Sequence, residues 1–250
     1  MTADDSRAVA IVTGGSRGIG AAASRLLAQR GWAVAVNYVA ADDSAHTIVA
    51  EIIASGGRAT AIKPDVTDAG AVAELFARCG AELGRLRGLV NCGSLGHARP
   101  LRRRSRCGSP AGPRGQPLRP DRVHPRNEPA HAVAERRRGG AIVNVSSGLS
   151  TSCAPNVEIH YAVSKAALNC LTLGLAQELA GEGIRVNSVS PGATRTGTPD
   201  VAVLEAAAAG IPIGRVAEPE EIGEAIAWLL SDKASYVARA YLRVGGGKPG

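Results

Sequence analysis

Ala8-Val9-Ala10-Ile11-Val12-Thr13-Gly14-Gly15-Ser16-Arg17-Gly18-Ile19-Gly20 sets the pattern for the whole chain. Its first five residues are all apolar, as a strand buried on both faces requires. Spaced glycines follow, and then the helical pattern of Ala21 to Gln29. A glycine turn between strand and helix lets the backbone approach a pyrophosphate, which the positive end of the helix attracts. Gly14, Ser16, Arg17, Gly18, Ile19 and Gly20 are therefore expected to bind a dinucleotide.

The same alternation continues downstream. Ala33 to Tyr38 reads as a second strand, residues 42–55 as a helix stopping at Gly56-Gly57, and Arg58 to Ile62 as a third strand. A helix over 68–83, capped by Asp68, leads to a strand at Gly88 to Asn91. Past Gly139-Gly140 come strands at Ala141 to Val145 and Ile184 to Val189, separated by a long helix from Tyr161 to about Ala180. A helix near 218–230 and a strand near 240–244 follow. Alternating units of this length imply an α/β, Rossmann-type fold: a doubly wound parallel sheet of about seven strands with helices on both faces. Residues 1–250 read as a single domain. An acidic residue ending the second strand would bond the adenosine ribose and repel a 2′-phosphate. Asn37 stands there, and Arg17 lies in the glycine turn, so NADP is favoured over NAD.

Tyr161-Ala162-Val163-Ser164-Lys165 places a phenol and an ammonium one helical turn apart. A phenol with its ordinary pKa of about 10 is a poor acid or base at neutral pH, and a fixed ammonium nearby favours its ionised form. Ser146 and Ser147 end a strand at its carboxyl edge, where ligands bind in open α/β sheets. Ser147, fourteen residues before Tyr161, is preferred of the two.

Mean hydropathy is near zero and no apolar run spans a bilayer. The opening MTADDSRAVAIV is acidic, unlike a secretory signal, so the expected location is the cytoplasm. Five scattered cysteines and five histidines without ligand spacing give neither a disulfide framework nor a metal site. The net charge of +7 belongs to one segment: twelve arginines against three acids lie between His97 and Arg138. Seven prolines in the same stretch exclude a continuous helix.

Taken together, TGGSRGIG, Asp65-Val66, Leu89-Val90-Asn91, VNVSS, YAVSK and SPGATRT resemble the short-chain dehydrogenase/reductase family, in its 3-oxoacyl-carrier-protein reductase-like branch. The resemblance covers about 8–92 and 139–247. It implies that Ser147, Tyr161 and Lys165 are catalytic. It also implies that Asp65, Val66, Asn91, Pro191, Gly192 and Thr196 join the glycine turn, Asn37, Tyr161 and Lys165 in holding the cofactor. The family reaction is carbonyl–alcohol interconversion on a small molecule, and its members assemble as tetramers or dimers. Residues 197–214 match the substrate flap, whose small apolar residues suit a neutral or lipid-like substrate.

The chain departs from that pattern in two places. Ala238-Arg239 stands where relatives have Thr-Gly, which weakens the expected tetramer contact. From Cys92 to Arg138 the pattern is lost, and with it the helix that carries a catalytic asparagine in the family. That asparagine would fall near Gly115 or Gln116, yet no Asn occurs between Asn91 and Asn127. Codons AAC-AAT-GCG-GGT spell the family's Asn-Asn-Ala-Gly; loss of two bases gives AAC-TGC-GGG-TCA, the Asn91-Cys92-Gly93-Ser94 found here. We read 93–138 as a translated frameshift, later restored, and an in-frame reread of an active natural gene would refute this. Two other readings follow from the segment: a cofactor-binding protein with impaired catalysis, and a polyanion binder. The second lacks aromatic residues to stack bases, so nucleic acid is the disfavoured partner.

Overall fold

A computed structural model describes residues 8–39, 42–63, 69–93, 139–152, 159–197 and 201–248. Seven strands form one sheet: β1 (Val9–Thr13), β2 (Ala33–Asn37), β3 (Arg58–Ile62), β4 (Leu86–Asn91), β5 (Gly140–Val145), β6 (Ile184–Pro191) and β7 (Tyr241–Val244). All pairings are parallel, in the order β3-β2-β1-β4-β5-β6-β7. The helices are α1 (Gly18–Gln29), α2 (Asp42–Ala54), α3 (Ala69–Leu83), α4 (Ile159–Leu179), α5 (Val201–Ala208) and α6 (Pro219–Leu230).

Alternation along each strand divides the core into two layers. Ala10, Val12, Val34 and Val36 meet Leu27 of α1, Ile48 and Ile52 of α2, and Ile222, Ile226 and Leu229 of α6. Val9, Ile11, Ala33 and Ala35 face the other way, onto Leu75, Cys79 and Leu83 of α3 and Leu175, Ala176 and Leu179 of α4. Continuous apolar strands are what a sheet covered on both faces needs. The order reverses between β1 and β4, which opens a crevice at their carboxyl ends. The expected doubly wound sheet is thus present, with β6 two residues longer than its apolar run. Asp65, Val66, Asp68 and residues 94–138 lie outside the described residues.

Candidate active site

The crevice floor is built from backbone. Gly14 takes φ +63°, and a Cβ there would approach Gly93 Cα to 2.9 Å. A Cβ on Gly20 would run into the Gly14 carbonyl. Only glycine permits these approaches, which press the first turn of α1 against β1. Thr13 Oγ1 accepts from the backbone N–H groups of Cys92 (3.1 Å) and Gly93 (3.2 Å), closing β1 onto β4 across the switch point. The first N–H groups of a helix lack internal partners, and α1 has no acidic residue in its first turn to repel an anion. Arg17 precedes that turn and is exposed; Ser16 is buried and Ile19 is half-buried. This cradle, which a side chain would fill, fits a dinucleotide's phosphates.

The other side of the crevice is closed by β6. Gly192 N–H donates to the Val244 carbonyl at 2.9 Å, fixing the Pro191-Gly192 turn to β7. Thr196 lies over the glycine turn: a Cβ on Gly18 would stand 3.1 Å from Thr196 Cβ. Asn91 donates Nδ2 to Asn144 Oδ1 at 2.7 Å, and Asn144 in turn donates to Thr172 of α4 at 2.9 Å. Asn91 Oδ1 is buried and finds no partner among the described residues, a free acceptor at the mouth of the crevice. Asn37 ends β2. It is 1% exposed and donates Nδ2 to the Ile62 carbonyl at 3.1 Å, so its amide joins β2 to β3.

Helix α4 brings the chemistry to β5. Lys165 is buried, and its Nζ donates to the Val145 carbonyl at 2.8 Å. The same nitrogen lies 5.6 Å from the centroid of the Tyr161 ring. Burial lowers the Lys165 pKa, and nearby Cys92 opposes that shift. Burial also pushes the Cys92 thiol up to about 11, with Lys165 pulling it back. The two serines separate cleanly. Ser146 is buried and donates to the Lys165 carbonyl at 3.2 Å, an anchor for the helix. Ser147 is half-buried, and its Oγ accepts from Leu149 N–H at 3.2 Å. That bond occupies a lone pair and leaves the hydroxyl hydrogen to donate elsewhere.

Sequence reasoning missed Ser150 and Asn169. Asn169 stands four residues after Lys165, on the same face of α4 as Tyr161, and donates to Ser150 Oγ at 2.8 Å. The i, i+4 spacing was the one available signal. A cavity of about 460 Å³ starts beside the Pro191-Gly192 turn, lined by Ala193, Ile211 and Ile213 together with Arg215, Glu221 and Arg243. Among the described residues no group of His, Cys, Asp and Glu could hold a metal, and no helix is long and apolar enough to cross a membrane.

Residues 8–106 match the family model described as short chain dehydrogenase, and residues 129–248 match the one described as Enoyl-(Acyl carrier protein) reductase. The cis-4-hydroxycyclohexanecarboxylate dehydrogenase of Sinomonas cyclohexanicum is 41% identical, over 96% of this chain and 95% of that protein. The chain belongs to the short-chain dehydrogenase/reductase family. It is an oxidoreductase acting on hydroxyl or carbonyl groups, and its seven-stranded Rossmann-like sheet is the family's. The short chain dehydrogenase of Burkholderia cenocepacia J2315, solved with NADP, superposes with a TM-score of 0.82 at 32% identity, covering 96% of each chain. A 7α-hydroxysteroid dehydrogenase complexed with NADH and 7-oxo glycochenodeoxycholic acid gives 0.82 at 28% identity, covering 99% of this chain and 96% of the other. A nicotinamide cofactor is common to both.

Proposed function

We propose that the protein interconverts a carbonyl and a secondary alcohol with NADP, using Tyr161 as its acid/base. The observation that carries this is the docking of α4, which sets buried Lys165 beside the Tyr161 ring at the end of β5. NADPH, when bound, supplies the hydride. Gly14, Gly18, Gly20, Ser16 and Ile19 would seat its phosphates, Arg17 its 2′-phosphate, and Asn91, Pro191, Gly192 and Thr196 its nicotinamide half, with Asp65 and Val66 among the residues that hold it. Tyr161 donates a proton to the carbonyl oxygen as charge develops there. Ser147 donates a hydrogen bond to the same oxygen. The Lys165 ammonium favours negative charge on the phenol oxygen once the proton has left.

The exposed stripe Ile159, Val163, Cys170 and Leu173 on α4 supports assembly as a dimer or tetramer. The walls of the 460 Å³ cavity mix apolar and cationic groups, which points to a substrate less uniformly neutral than the flap alone suggests. Tyr161→Phe is expected to abolish NADPH oxidation with acetoacetyl esters, diketones and 4-oxocyclohexanecarboxylate, while NADPH fluorescence titration stays within about twofold. Turnover surviving the change refutes the assignment. The second reading, cofactor binding with impaired catalysis, is favoured by the missing asparagine of 93–138. It predicts a normal NADPH titration for the unaltered chain and no turnover of any of these carbonyls.

A further inference from the structure

Ser147 is followed by a single 3₁₀ turn, Gly148–Ser150, and that turn is tied to strands far away in sequence. Ser150 Oγ donates to the Ser147 carbonyl at 2.7 Å. Its one hydrogen is thereby used, so its two remaining contacts must both donate to it. These are Asn169 Nδ2 of α4 at 2.8 Å and the Tyr241 hydroxyl of β7 at 3.0 Å. Tyr241 has then given up its own hydrogen, and Ser190 Oγ of β6, 2.7 Å away, must donate to it. Ser188 Oγ completes the set by donating to Asn169 Oδ1 at 3.1 Å. Proton counting therefore gives every bond in the chain one direction, from Ser190 through Tyr241 and Ser150 to the Ser147 carbonyl. Chains aligned in this way strengthen one another inside a protein.

We propose that Tyr241 is a positioning residue: through Ser150 it fixes the turn whose Leu149 N–H orients the Ser147 hydroxyl toward the substrate oxygen. The proposal rests on Ser147 as the donor to that oxygen. A phenol suits the task because it spans from β7, past β6, to the turn beyond β5, which a short side chain on the outermost strand could not reach.

Hydrogen exchange on the full chain tests the idea, with NADPH-dependent reduction of ethyl acetoacetate alongside. In Tyr241→Phe and in Ser150→Ala, the Leu149 and Ser150 amides should exchange about tenfold faster while the sheet keeps its protection. Turnover should fall about tenfold in each, with the NADPH Kd unchanged, and the double variant should lose little more than either single one. Unchanged exchange in the turn overturns the proposal, as does faster exchange across the whole sheet, which a merely structural role would give. Ser147→Ala separates the two possible failures. If Ser147→Ala is fully active while Tyr241→Phe loosens the turn, the serine assignment fails and the network stands as a structural tie only. If Ser147→Ala is inactive and Tyr241→Phe leaves the turn protected, the positioning role fails alone.

Discussion

Ser146 and Ser147 are chemically identical neighbours, and the end of a strand gives them different surroundings. Ser146 spends its hydroxyl on the Lys165 carbonyl inside the core, whereas Ser147 keeps its hydrogen available. Ser146→Ala should therefore cost stability, about 1 kcal/mol for a lost buried hydrogen bond, and leave turnover within a few-fold. Ser147→Ala should leave the thermal midpoint nearly unchanged and lower kcat by about 10²–10³. Thermal melts and steady-state kinetics on the pair check both statements. At this scale the sequence is informative where chemistry is local. Tyr161 and Lys165 share a helix face, and their spacing alone brings them together. Ser150 and Tyr241 are 91 residues apart, and no local pattern could have paired them.

The elements carry their own signatures unevenly. Buried parallel strands were legible because apolar residues in a row have few other uses, and β1 and β2 fall within a residue of their apolar runs; β3, with Arg58 and Thr60, was legible from its place in the alternation. The Arg/Pro-rich stretch between β4 and β5 has no apolar periodicity to read, and the expectations for it fall on residues outside those described. The turn before β7 hid a conformational demand. Arg239 takes φ +65°, the one non-glycine residue in the left-handed region among the described residues. Its N–H donates to the Val186 carbonyl at 2.9 Å, so the loop holds it there. A side chain in that region costs about 1–2 kcal/mol, part of which glycine returns as flexibility lost on folding. Arg239→Gly should raise stability by about 0.5–1 kcal/mol, seen as a thermal midpoint about 2 °C higher. A midpoint that falls would mean the arginine makes a compensating contact.

Two carboxylates are held by hydrogen bonds in the folded chain, and acid should loosen both. Glu82, at the end of α3, accepts from Thr60 of the edge strand β3 at 2.5 Å and from Arg78, and its pKa lies below 4.5, chiefly because of the Thr60 bond. Glu221, in the first turn of α6, accepts two bonds from Arg215 and one from Glu218 N–H; the Arg215 bond first, then the backbone, hold it at about 2. Both folded values are depressed, so the unfolded chain binds more protons on the acid side. The stabilisation is present above 4.5 and is lost as pH falls toward the folded values. Thermal midpoints of the unaltered chain should drop between pH 5 and pH 2.5, and those of a Glu82→Gln, Glu221→Gln double variant should drop less steeply. Parallel pH profiles for the two proteins would exclude this role. The tie between the Ser147 turn and Tyr241 has a last consequence, for the order of synthesis. A ribosome releases Ser147, Tyr161 and Lys165 well before it reaches β7. A nascent chain can thus hold all three proposed reacting groups while the serine's turn still lacks its outermost brace. The turn is braced only when β7 joins the sheet, so chains stalled or clipped before Tyr241 would lack both that tie and the Val244 carbonyl that fixes the Pro191-Gly192 turn.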